Sequence, residues 1–126
     1  MREKFEERFV RLSYVYADVS ANSSSVVNKA ARQLTKMCKY LHENIEDAKG
    51  LIDSIIESEH VCAKLWISSV AIEKNYRKED AINMLEAIAL RDDVGHLAVY
   101  AFLRLVDYGI RDWDYLYTLN KIKDSP

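Results

Sequence analysis

A chain of 126 residues with 18 basic and 20 acidic side chains carries a formal net charge of −2. That balance excludes the basic footprint through which proteins release counterions from DNA or RNA. Three glycines and one proline are too few for the special-angle turns of a β-rich fold, so the composition predicts long helices joined by short polar loops.

Hydrophobic periodicity predicts about seven helices. The first runs from about Glu3 to Val19, with Phe5, Phe9, Leu12 and Tyr16 on one face. The stretch SANSSS (Ser20–Ser25) breaks it and offers Ser24 or Ser25 as the next N-cap. A second helix to about His42 carries Val27, Ala30, Ala31, Leu34, Met37, Cys38 and Leu41. A third, about Glu46–Glu57, presents Ala48, Leu51, Ile52, Ile55 and Ile56, with Gly50 weakening its first turn.

Ser58 is expected to cap a fourth helix, about Glu59–Lys74, that buries Cys62, Leu65, Trp66, Ser69 and Val70. The turn NYRK leads to a fifth, about Glu79–Arg91, carrying Ala81, Met84, Leu85, Ile88 and Ala89. Asp92 or Asp93 is expected to cap the sixth, about Val94–Asp107, where acids suit the positive helix end. Gly109 fits a left-handed stop. The seventh, about Asp112–Lys123, carries Trp113, Leu116, Leu119 and Ile122. One contiguous core is expected from Leu65, Trp66, Val70, Leu85, Ile88, Phe102, Leu103 and Val106.

Loops this short make neighbouring helices antiparallel hairpins. A shift of 36 residues sets Leu65, Trp66 and Val70 over Ala101, Phe102 and Val106, and His60 over His96. A shift of 35 sets Ala81 and Met84 over Leu116 and Leu119. The expected architecture is therefore all-α: a short right-handed α-solenoid of the HEAT-like kind. It forms one domain over 1–126, with a capping helix at 1–20 and helix pairs at 24–57, 58–91 and 93–123.

The segments NKAARQLTKMCKYL (Asn28–Leu41), AKGLIDSII, SEHVCAKLWISSVAI, DAINMLEAIA and GHLAVYAFLRL share this packing beat. Together they resemble HEAT-like repeat proteins, and more narrowly a family of small bacterial helical proteins known only as a domain of unknown function. The resemblance covers Asn28–Val106 and implies a fold rather than an activity. Small acidic helical proteins of this kind look like immunity proteins of bacterial toxin systems, which is an analogy of fold and charge.

No apolar run approaches the roughly 20 residues that cross a bilayer. MREKFEERFV, mixed in charge, does not read as a secretory signal. Cys38 and Cys62 lie inside apolar helical patterns and read as buried reduced thiols, so a cytoplasmic location without membrane association is expected. HENIE (His42–Glu46) is one residue from a zinc-binding H-E-x-x-H helix but places Glu46 where the second histidine belongs. Cys38, His42, His60 and Cys62 match no zinc spacing. No G-x-S-x-G elbow or glycine-rich phosphate loop occurs, so no enzyme, metal or cofactor is expected. His60 and His96 each open the first helix of a pair and read as surface-facing or locally hydrogen-bonded; a small hydrolase built on either is the weakest reading.

Charge offers a stronger signal. In a solenoid the second helix of each pair lines one face. Glu46, Asp47, Asp53, Glu57, Glu79, Asp80, Glu86, Asp112 and Asp114 fall there, interrupted by Lys49, Arg77, Lys78 and Arg111, with Tyr115 and Tyr117 alongside. Such a ladder is either a solvated face or a docking surface that steers a basic partner protein. The candidate partner-binding residues are Asp53, Glu57, Asp80, Glu86, Asp112, Asp114, Tyr115 and Tyr117. Tyr14 and Tyr16 on the first helix, and the seventh helix's aromatics, read first as covers over the ends of the array and second as contacts. The expected function is protein binding without catalysis, most concretely immunity to a toxin whose active site is covered by the acidic face. A structural adaptor or self-assembling scaffold is the alternative.

Overall fold

A computed structural model of the chain describes residues 4–18 and 20–111. There the periodic segments form six helices: α1 (Phe5–Ala17), α2 (Ser24–Glu43), α3 (Ile45–Ile56), α4 (Val61–Glu73), α5 (Lys78–Ala89) and α6 (His96–Asp107). The chain is all-α, and no strand occurs among the described residues. The seventh helix expected over about Asp112–Lys123 lies outside them.

Helix ends differ from expectation in instructive ways. Ser23, not Ser24 or Ser25, caps α2, its side chain accepting from the Val26 N–H at 3.3 Å. Ser58 does not cap α4; its hydroxyl donates to the Ile55 carbonyl at 2.7 Å and accepts from the His60 N–H at 3.2 Å, shaping the turn after α3. Asp92 and Asp93 do not cap α6, whose N-cap is Gly95 at φ +58°. Asp93 instead holds Arg91 through two hydrogen bonds of 2.8 and 2.6 Å, and that bond keeps its carboxyl below the usual carboxylate range.

Gly109 does stop α6 at φ +69°, with Gly109 N–H to Val106 O and Ile110 N–H to Leu105 O both at 2.9 Å. That paired bonding is a Schellman motif. Helix α4 ends the same way with an asparagine: Asn75 at φ +54° donates to Ile72 O, and Tyr76 donates to Ala71 O. Asparagine tolerates this conformation better than most side chains.

The largest correction concerns α4. Its expected stripe included Trp66 and Ser69, yet both are only half buried, while Ala63, Ile67, Ser68, Ala71 and Ile72 are buried beside Cys62, Leu65 and Val70. Buried residues fall all round the helix because α4 packs against each of the other five described helices. Ser68 is accommodated by donating to the Leu65 carbonyl at 2.7 Å. Helices α2, α4 and α6 touch in succession, α3 touches α5, and α1 lies against both α2 and α4.

One contiguous core results, containing Leu65, Val70, Leu85, Ile88 and Phe102 as expected. On α6 the buried stripe is Ala98, Ala101, Phe102 and Leu105; Leu103 and Val106 pack on its edge. The expected register of this helix was therefore turned slightly about its axis.

Candidate functional site

The described acids of the ladder gather around arginines rather than standing alone. Arg77, in the left-handed turn between α4 and α5 (φ +51°), reaches Asp53 at 3.3 Å, Glu57 at 2.9 Å and Asp80 at 2.9 Å. The turn points its side chain at the C-terminal half of α3, while Asp80 sits in the first turn of α5. Hydrogen bonds to Glu57 and Asp80 push its guanidinium pKa further up, so Arg77 stays charged. Tyr76 donates to both Asp53 oxygens at 3.0 and 3.1 Å, and that bond raises the phenol's pKa. Lys49 stands 5.6 Å from the centre of the Tyr76 ring.

Three carboxylates against one guanidinium leave this cluster with excess negative charge, and all three acids remain at least half exposed. Glu86 lies apart, paired with Arg111 just beyond α6. Arg77 and Arg111, which in sequence merely interrupt the ladder, are thus the residues that organise it. Asp112, Asp114, Tyr115 and Tyr117 lie outside the described residues.

The histidines take local partners. His60 Nδ1 lies 3.0 Å from the Tyr14 hydroxyl. His96 meets the Tyr100 ring edge-on at 5.2 Å. HENIE does not converge: His42 turns to Glu73 on α4 at 3.3 Å, and Glu46 turns to Lys49 on α3 at 3.5 Å. Among the described residues, no group of three or more His, Cys, Asp or Glu side chains is placed to hold a metal ion. No described helix is long and apolar enough to cross a membrane.

Both cysteines are free. Burial pushes the Cys62 thiol up, and pushes Cys38 up to about 11. Thiolate, not thiol, is the nucleophile, so iodoacetamide at pH 8 should modify both far more slowly in the folded protein than in urea, as mass spectrometry would count. The same shift has a stability consequence. The Cys38 contribution is fully present well below pH 9, the midpoint of the unfolded thiol, and is lost as pH rises toward about 11.

One feature was not foreseen from the sequence. A half-open cavity of about 230 Å³ lies between the C-terminal half of α1, the start of α4 and the outer face of α6. Tyr16 meets Trp66 edge-on at 5.2 Å, and the Arg104 guanidinium sits 5.9 Å from the Trp66 ring centre. Tyr100 and Asp107 complete its rim. Of the α1 aromatics expected to cover an end of the array, Tyr14 meets His60 at the N-cap of α4 and Tyr16 meets Trp66 within it, with α1 lying against α4. Half-burial of Trp66 was the missing signal, since periodicity assigns a tryptophan beside Leu65 to the core.

The chain is thus an all-α protein with an arginine-centred acidic cluster on one side and an aromatic cavity on another. No protein-family model matches it, and no curated protein or solved structure was found to match it.

Proposed function

We propose that the chain is a non-enzymatic protein-binding domain that takes a basic partner, most concretely an immunity protein that neutralises a bacterial toxin by covering its active site. The observation carrying this reading is the cluster around Arg77, where Asp53, Glu57 and Asp80 leave excess negative charge on exposed side chains. Because Arg77 fixes the carboxylates before any encounter, they lose less side-chain freedom when a cationic surface arrives. In this reading the helices stack as a short right-handed HEAT-like solenoid. The succession of α2, α4 and α6, with α3 on α5, supports it as two rows of first and second helices.

The test begins with capture of the partner from the source organism by the tagged chain, identified by mass spectrometry. Association of the purified pair is then followed by stopped flow. Exposed charges act mainly on the rate of encounter. The double variant E57Q/D80N should therefore associate severalfold more slowly, and wild type should slow in the same sense between about 0.05 M and 1 M salt, as the Debye length shrinks to about 3 Å. A rate indifferent to both changes would overturn the acidic-face reading. An unaltered rate with a partner that also self-assembles with the chain would favour the scaffold alternative.

A further inference from the structure

The cavity between α1, α4 and α6 has the size, walls and charges of a small-molecule site. Its 230 Å³ is below the roughly 300–1,000 Å³ that take drug-sized ligands. It exceeds the roughly 150 Å³ in which a buried apolar cavity holds benzene. One six-membered ring fits, with space left for a short polar group toward the open side.

The walls suit a ring. Tyr16, Trp66 and Tyr100 supply aromatic surface, Leu65 and Leu97 supply apolar surface, and the Tyr16–Trp66 contact holds two of the rings in a fixed edge-to-face arrangement. The charges at the rim narrow the guest further. Arg104 and Asp107, three residues apart on α6, both line the cavity, and neither takes an ion pair among the described residues. Neighbours at this spacing are near enough to pair, yet Arg104 is turned over Trp66 instead.

A simple cation would meet the guanidinium already over Trp66. A simple anion would meet the Asp107 carboxylate. A guest carrying both charges on neighbouring groups of one carbon satisfies each. Phosphate-bearing ligands are disfavoured, since one guanidinium beside a carboxylate is a poor match for a dianion.

We propose that this cavity binds a free amino acid with a single-ring aromatic side chain, its ring among Tyr16, Trp66 and Tyr100 and its carboxylate and ammonium on Arg104 and Asp107. Incorporation into a peptide removes one of the two adjacent charges, so the chemistry selects the free amino acid over a chain end. The site is separate from the acidic cluster, and its occupancy does not depend on that cluster's partner. Cys62 lines the floor as a neutral thiol and takes no covalent part.

Isothermal titration calorimetry on the full chain tests this with L-phenylalanine, L-phenylalaninamide (no carboxylate) and 3-phenylpropionate (no ammonium). L-Phenylalanine should bind saturably, and each analogue should bind about tenfold or more weakly, the loss of one charged hydrogen bond. In Arg104→Gln, L-phenylalanine and its amide should become equal. In Asp107→Asn, L-phenylalanine and 3-phenylpropionate should become equal. Absence of a saturable heat with L-phenylalanine, or analogues that match it on wild type, would overturn the proposal. So would well-folded variants, by circular dichroism, that leave the wild-type order unchanged. The analogue series on wild type decides the matter even if a variant fails to fold.

Discussion

Replacing Phe102 with alanine is expected to lower the unfolding free energy by about 3–5 kcal/mol, the usual cost of deleting a buried ring in a core that relaxes only partly. Phe102 is 2% exposed and belongs to the continuous core. Small domains are stable by only about 5–15 kcal/mol in total, so a variant near the upper end of that cost would be partly unfolded at 37 °C. Urea melts followed by circular dichroism give the value. Neighbouring leucines test the register of α6 in the same experiment. Leu105 is fully buried and Leu103 lies on the core's edge beside the cavity. Leu105→Ala should therefore cost about 2–5 kcal/mol and Leu103→Ala clearly less. The reverse order would mean that α6 turns Leu103 rather than Leu105 into the core.

The second large effect is expected at Arg77. Arg77→Gln removes the cation from among Asp53, Glu57 and Asp80 and leaves three carboxylates facing one another. Exposed pairs are each worth only roughly 0–1 kcal/mol, so the summed loss should be about 1–2 kcal/mol. Glutamine rather than glycine is the informative substitute. Both arginine and glutamine bear the strain of φ +51°, whereas glycine would relieve it and mask the lost pairing. The penalty should shrink as salt rises from about 0.1 M, where the Debye length is about 10 Å, to 1 M. A salt-independent penalty in melts would show that Arg77 acts through packing of its aliphatic stem.

The helices were legible because their signal is local. Phe9 and Leu12, or Ile52 and Ile55, recur on one face whatever surrounds them, and each lies in the core. The caps were less legible. Ser23, Ser24 and Ser25 are chemically alike, and only the path of the backbone out of α1 decides which one meets an N–H of α2. Acids at the start of α6 read as caps until Arg91 is seen to occupy Asp93. The identity of α4 as the central helix was hidden because periodicity reports one buried face, and a helix touched on several sides has none. At the acidic cluster, Asp53, Glu57 and Asp80 were visible as charges. Their convergence needed the left-handed Arg77, which no spacing rule announces. The aromatic cavity draws on α1, α4 and α6 at once and was invisible for the same reason.

Helix α1 lies across both α2 and α4, and this governs how the chain comes together as it is made. The first partner, α2, follows at once, whereas the second is finished only when Glu73 has been added. At about 5–20 residues per second, α1 spends several seconds on the ribosome with Tyr14 and Tyr16 unsatisfied. During that interval an early α1–α2 hairpin carries a sticky aromatic edge. Arrival of α4 covers only part of that edge, setting Trp66 against Tyr16 and His60 against Tyr14, which stays 44% exposed. It also closes a long loop between α1 and a helix far along the chain, a non-local contact whose closure entropy slows folding.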